Sequence, residues 1–129
     1  MSEAGPCILI LEDDMMLALL LEDQLADLGY RTIKAARVAN GVRVASTASL
    51  DGAILDINVA GEASYPVAQA LRKRRIPFVF ATGYGAGGLA PEFRNAPTLN
   101  KPYTYADLQR VLAAALEAAP ETRGQGRAP

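Results

Sequence analysis

Five side chains that could do chemistry stand far apart in this chain: Glu12, Asp13, Asp56, Thr82 and Lys101. Glu12 and Asp13 begin the acidic run EDD, completed by Asp14, directly after the apolar run CILIL at 7–11. Adjacent carboxylates repel, and poor hydration strengthens the repulsion. One role for such acids is helix capping, which suits Asp13 or Asp14. Another is a shared cation. Glu12, Asp13 and Asp56 together would suit Mg2+, which takes oxygen ligands and keeps several waters, as a small open cluster allows. A nearby lysine and threonine fit phosphoryl transfer, the ammonium neutralising phosphoryl oxygens and the hydroxyl bonding one of them. Asp56 could then be the nucleophile, forming an aspartyl-phosphate.

The elements that must bring these groups together read as alternating strands and helices. CILIL is a strand buried on both faces. A helix capped by Asp13 or Asp14 runs to about Leu28 and stops at Gly29, with Leu17, Leu21, Leu25 and Leu28 as its core stripe. Residues 30–35 read as a more polar strand near an edge, and 38–48 as a helix despite Gly41. GAILD at 52–56 is a third strand, and after the loop INVAGEAS a helix spans 65–75 with Pro66 in its first turn. A fourth strand, IPFVFA at 76–81, leads into the glycine-rich TGYGAGG, read as a loop with at most a short frayed helix. A fifth strand covers 96–100. The last helix opens at Thr104 or Tyr105 and turns Leu108, Val111, Leu112, Ala115 and Leu116 inward. Such alternation predicts a mostly parallel sheet with helices on both faces, and such sheets bind ligands beyond the carboxyl ends of their strands. Glu12 and Asp13, Asp56, Thr82 and Lys101 each follow a different strand, so they should converge on one edge.

Composition narrows the field. The chain has 129 residues, half of them apolar, which fits one globular domain over 1–119 with a disordered tail at 120–129. Its 13 basic and 14 acidic residues nearly cancel, so neither nucleic acid nor an anionic membrane is the expected partner. The basic run at 72–75 reads as a solvated helix end. Having no histidine, the chain cannot form the usual zinc sites or a Ser-His or Cys-His nucleophile pair. Cys7, the single cysteine, reads as a strand residue. With no signal-like start and no membrane-length apolar run, a soluble cytoplasmic protein is expected.

The ordered set ILILEDD, AILDIN, FATG and LNKP resembles the receiver domain of bacterial two-component response regulators over about residues 6–118. The resemblance implies a flavodoxin-like fold with a five-stranded parallel sheet in the order 2-1-3-4-5. It implies that Asp56 accepts a phosphoryl group from a histidine kinase or histidine phosphotransfer protein. Mg2+ would be held by Asp13, Asp56 and the backbone carbonyl of Asn58, with Glu12 acting mostly through a metal-bound water. Thr82 and Lys101 would bind the phosphoryl group, and the readout surface would be the fourth helix, fifth strand and fifth helix. The stretch PFVFATGYG at 77–85 is similar to a subgroup of stand-alone receivers. The usual switch aromatic is absent, since Thr98 stands three residues before Lys101. Tyr84 is the expected substitute.

The expected activity is therefore that of a stand-alone switch, not a separate enzyme, although the resemblance implies that the domain would assist its own phosphorylation and dephosphorylation. Output would come from protein–protein contacts made by a monomer or weak homodimer. Met15, Met16 and Leu19 lie off the core stripe of the first helix, and the resemblance implies that they dock the kinase, packing against the last helix being the alternative. A competing reading is a Mg2+-dependent small-molecule phosphatase or phosphotransferase with Asp56 as nucleophile. That chemistry usually needs an acid/base carboxylate two residues later, where this chain has Asn58.

Overall fold

The computed structural model describes residues 5–83 and 86–118. Strand β1 (Cys7–Leu11) lies between the edge strand β2 (Arg31–Ala35) and the middle strand β3 (Gly52–Asp56), beyond which follow β6 (Phe78–Thr82) and β7 (Thr98–Asn100). All four pairings are parallel, in the order β2-β1-β3-β6-β7. Leaving aside the small antiparallel hairpin β4 (Asn58–Val59) and β5 (Glu62–Ala63), this is the flavodoxin-like 2-1-3-4-5 order.

Strand side chains alternate between two cores because successive residues point to opposite faces. Leu9, Leu11, Leu55, Phe78 and Phe80 pack with α2 (Val38–Thr47) and α3 (Tyr65–Lys73). Ile8, Ile10, Ile54 and Val79 pack with α1 (Met15–Asp27) and α4 (Tyr105–Ala118). Gly41 sits mid-helix because α2 lies so close to its neighbours. A Cβ there would come within 2.9 Å of Val67 Cγ2 and 3.0 Å of Leu11 Cδ1.

Several details depart from the sequence reading. The buried stripe of α1 is Ala18, Leu21 and Leu25, with Leu28 partly buried, and Leu17 faces solvent. Helix α3 stops at Lys73 instead of Arg75. Arg75 takes a left-handed φ of 62°, and the amide of Ile76 bonds back to the Leu71 carbonyl. The basic run is exposed yet not idle: the Arg74 guanidinium donates to the Ala45 and Ala48 carbonyls closing α2, at 2.7 and 2.8 Å. Finally, where the family resemblance implies a fourth helix, the chain has only two short 3-10 turns, Ala86–Gly88 and Pro91–Phe93, in keeping with the loop read from its glycines. Phe93 plugs this segment into the core, stacked on Tyr65 at 5.3 Å under the Arg72 guanidinium at 4.4 Å. Among the described residues no helix is long and apolar enough to cross a membrane.

Candidate functional site: an acidic cluster at the sheet edge

The carboxyl ends of β1, β3, β6 and β7 carry the five groups onto one edge. The three acids after β1 divide the work. Asp14 is the N-cap of α1, its Oδ1 accepting from the Met16 and Leu17 amides at 3.0 and 3.2 Å. That releases Glu12 and Asp13. Oxygens of Glu12, Asp13 and Asp56 lie within 4.8 Å of one another, close enough to hold one cation. Oε2 of Glu12 accepts from the Asp14 amide at 2.9 Å, and Asp13 Oδ2 accepts from the Ala60 amide at 2.9 Å.

Lys101 brings one positive charge to the cluster. Its Nζ lies 2.7 Å from Asp56 Oδ1 and 3.9 Å from Glu12 Oε1. Its amide donates to the Thr82 carbonyl at 2.8 Å, tying the ends of β6 and β7 together. Thr82 is buried one residue beyond Ala81, the strand partner of Asp56. Asn58 opens the hairpin two residues after Asp56, and its Oδ1 accepts from the Gly61 amide at 3.1 Å. Thr98 is half-buried on β7, and Tyr84 lies outside the described residues.

Met15 and Met16 are each 74% exposed, and Leu19 is also exposed, so the first turns of α1 present an apolar surface unpacked by α4. The sequence reading missed Leu17 and Leu20 there, and Tyr103. With Leu21, Gln24, Pro102, Glu12 and Lys101 these line a groove of about 490 Å3 beside the cluster. The five-residue run Leu17-Ala18-Leu19-Leu20-Leu21 has no polar break to tell an exposed leucine from a buried one. For Tyr103 the signal was its place two residues after Lys101.

One lysine does not neutralise three acids. Burial, followed by the charge and hydrogen bonding of Asp56, pushes the Glu12 carboxyl up to about 7, against the opposing Asp14 amide and Lys101. Burial pulls the Lys101 ammonium down, but the bond to Asp56 and the charges of Asp56 and Glu12 prevail and raise it. Since Glu12 holds its proton more tightly folded than unfolded, it stabilises the fold below pH about 4.5, and this contribution is lost as pH rises through about 7. Without divalent cations, wild type is therefore expected to lose stability relative to Glu12→Gln between pH 5 and 8. Allowing for solvent screening, the difference is on the order of 1 kcal/mol. Urea unfolding at both pH values measures it, and parallel pH profiles would contradict it.

No protein-family model and no curated protein matches the chain. Solved structures do. SdrG from Sphingomonas melonis Fr1 is 42% identical, over 88% of this chain and 98% of that one, at a TM-score of 0.76. A response regulator receiver protein from Sinorhizobium medicae WSM419 is 26% identical over 91% of this chain and 98% of its own, at a TM-score of 0.78. The receiver domain of sensor histidine kinase PA1611 from Pseudomonas aeruginosa PAO1 is 27% identical over 88% and 99%, at a TM-score of 0.75. That domain holds a magnesium ion in its active-site cleft. With these structures and its own acidic cluster at the sheet edge, the chain belongs to the response regulator receiver family.

Proposed function

We propose that this receiver is phosphorylated on Asp56 and works as a switch of protein–protein contacts. The observation that carries the reading is the Lys101–Asp56 contact of 2.7 Å inside a three-carboxylate cluster. The donor set fits Mg2+: hard oxygens, close together, with an excess of negative charge that already shifts Glu12. Asp13, Asp56 and the Asn58 backbone carbonyl would hold the ion, with Glu12 acting mostly through water. When bound, it supplies charge neutralisation at the carboxylates and the incoming phosphoryl oxygens.

The chain's own residues do the rest. An Asp56 carboxylate oxygen bonds to phosphorus as the bond from phosphorus to the donor imidazole nitrogen breaks. Lys101 already bonds Asp56 and passes to a phosphoryl oxygen of the product. Thr82, on the adjoining strand, donates its hydroxyl to another. Phosphorylation adds about two negative charges, and these two bonds, made only in the modified state, bias the conformation. Gly83 and the glycines of the following turn lower the cost of a local rearrangement.

The donor is a histidine kinase or a histidine phosphotransfer protein, docking through Met15, Met16 and Leu19 with the groove beside them. Readout falls to the β7–α4 side and the 3-10 turns in place of a fourth helix.

The test is incubation with a small acyl phosphate, with Mg2+ or with a chelator, followed by intact mass. A phosphate-sized gain is expected only with Mg2+. No gain in either would overturn the reading.

A further inference from the structure

The hairpin between Asp56 and α3 turns through Ala60 and Gly61, whose φ values are 52° and 86°. Two positive φ values in succession are the pattern of a type I′ turn, whose first position favours Asn, Asp or Gly. Gly61 adopts the conformation freely, whereas Ala60 carries a Cβ that resists it. The hairpin is closed at its base by the Ser64 amide bonding the Ile57 carbonyl at 2.8 Å, and Val59 is buried beneath it. At its tip the Ala60 amide points across the site and donates to Asp13 Oδ2 at 2.9 Å, spanning 47 residues of sequence.

We infer that Ala60 is a positioning residue for the metal site, its amide fixing the Asp13 carboxylate in the orientation that binds the cation. Asp13 needs such a partner. Its side chain is exposed, while its neighbours are anchored elsewhere, Glu12 facing Lys101 and Asp14 capping α1. An exposed aspartate left to itself samples several rotamers, and ordering it on binding weakens affinity. Hydrogen-bond partners behind a metal ligand typically govern affinity by 10- to 100-fold, roughly. The unfavourable φ of Ala60 is tolerated because its amide then reaches Asp13.

This inference rests on the proposed Mg2+ site, and its test separates the two. Replacing the Ala60 amide by the corresponding ester deletes one N–H and leaves the side chain in place. Mg2+ binding is then read in a titration of backbone amide shifts, without any phosphodonor. The ester is expected to bind Mg2+ about tenfold more weakly. Ala60→Gly keeps the N–H, relaxes the turn, and is expected to bind within about twofold of wild type while melting higher. An ester that binds like wild type, or a glycine variant as weak as the ester, overturns the inference and leaves the metal site standing. Failure of wild type to bind Mg2+ overturns both. Hydrogen exchange provides a check that needs no ester: without metal, the Ala60 amide should be protected in wild type and should lose that protection in Asp13→Ala. An unprotected Ala60 amide in wild type also overturns the inference.

Discussion

Asp56→Asn is expected to leave the chain folded and to abolish the phosphate-sized mass gain. The substitution keeps the shape of the side chain, and the carboxamide oxygen can still accept from the Lys101 ammonium that now lies 2.7 Å from Asp56 Oδ1. What disappears is the nucleophile. A carboxamide oxygen carries no full charge and cannot form a stable acyl phosphate under these conditions. Two further changes follow from the same substitution. Mg2+ affinity should drop at least about tenfold, because one of three carboxylates has gone. The Glu12 carboxyl should move back toward its ordinary range, since the charge and hydrogen bonding of Asp56 are among the causes that raise it. Intact mass and a Mg2+ titration measure the first two, and a carboxyl-resolved NMR titration the third. A variant that gains phosphate at the wild-type rate would move the modification to another side chain and remove Asp56 from its role.

How far the sequence foretold this site depends on what kind of signal each residue gave. Unbroken apolar runs such as CILIL and GAILD mark strands buried on both faces, and here both are buried throughout. Because a parallel sheet gathers the ends of its strands, finding the ends located Glu12, Asp13, Asp56, Thr82 and Lys101 together. The stop at Gly29, with its φ of 93°, was equally plain, whereas the cap was legible only as Asp13 or Asp14 and falls on Asp14. Helix α1 was harder. Its first two turns are apolar nearly all round, so periodicity alone chose Leu17 for the core, whereas the sheet admits the smaller Ala18. The hairpin at 58–63 was invisible because its turn reads Ala-Gly, without the Asn-Gly or Asp-Gly that normally announces it. Phe93 stands among prolines, charges and glycines, and only its partners Tyr65, Phe78, Phe80 and Arg72, all distant in sequence, make it a core residue.

The exposed start of α1 leads to the second large effect. Met15→Glu combined with Met16→Glu is expected to slow phosphoryl transfer from a charged histidine phosphotransfer protein by about 30-fold, the scale of an interface hot spot. Transfer from a small acyl phosphate should fall far less. Both methionines occupy the first turn of α1, directly after the Asp14 cap, where an acidic side chain is favourable to the helix dipole. Misfolding is thus a poor explanation for any loss. The apolar surface they begin continues through Leu17, Leu19 and Leu20 into the groove that ends at Lys101 and Tyr103. A helix laid along it would bring a histidine on its face to the cluster, which is how amphipathic helices engage apolar grooves. New negative charge could also act by repelling any phosphodonor, and the small donor measures that share. The neutral pair Met15→Gln and Met16→Gln isolates the lost apolar contact and should retain most of the slowing. Equal slowing with both donors would assign the effect to charge alone, and an unchanged protein-to-protein rate would take these residues out of the docking surface.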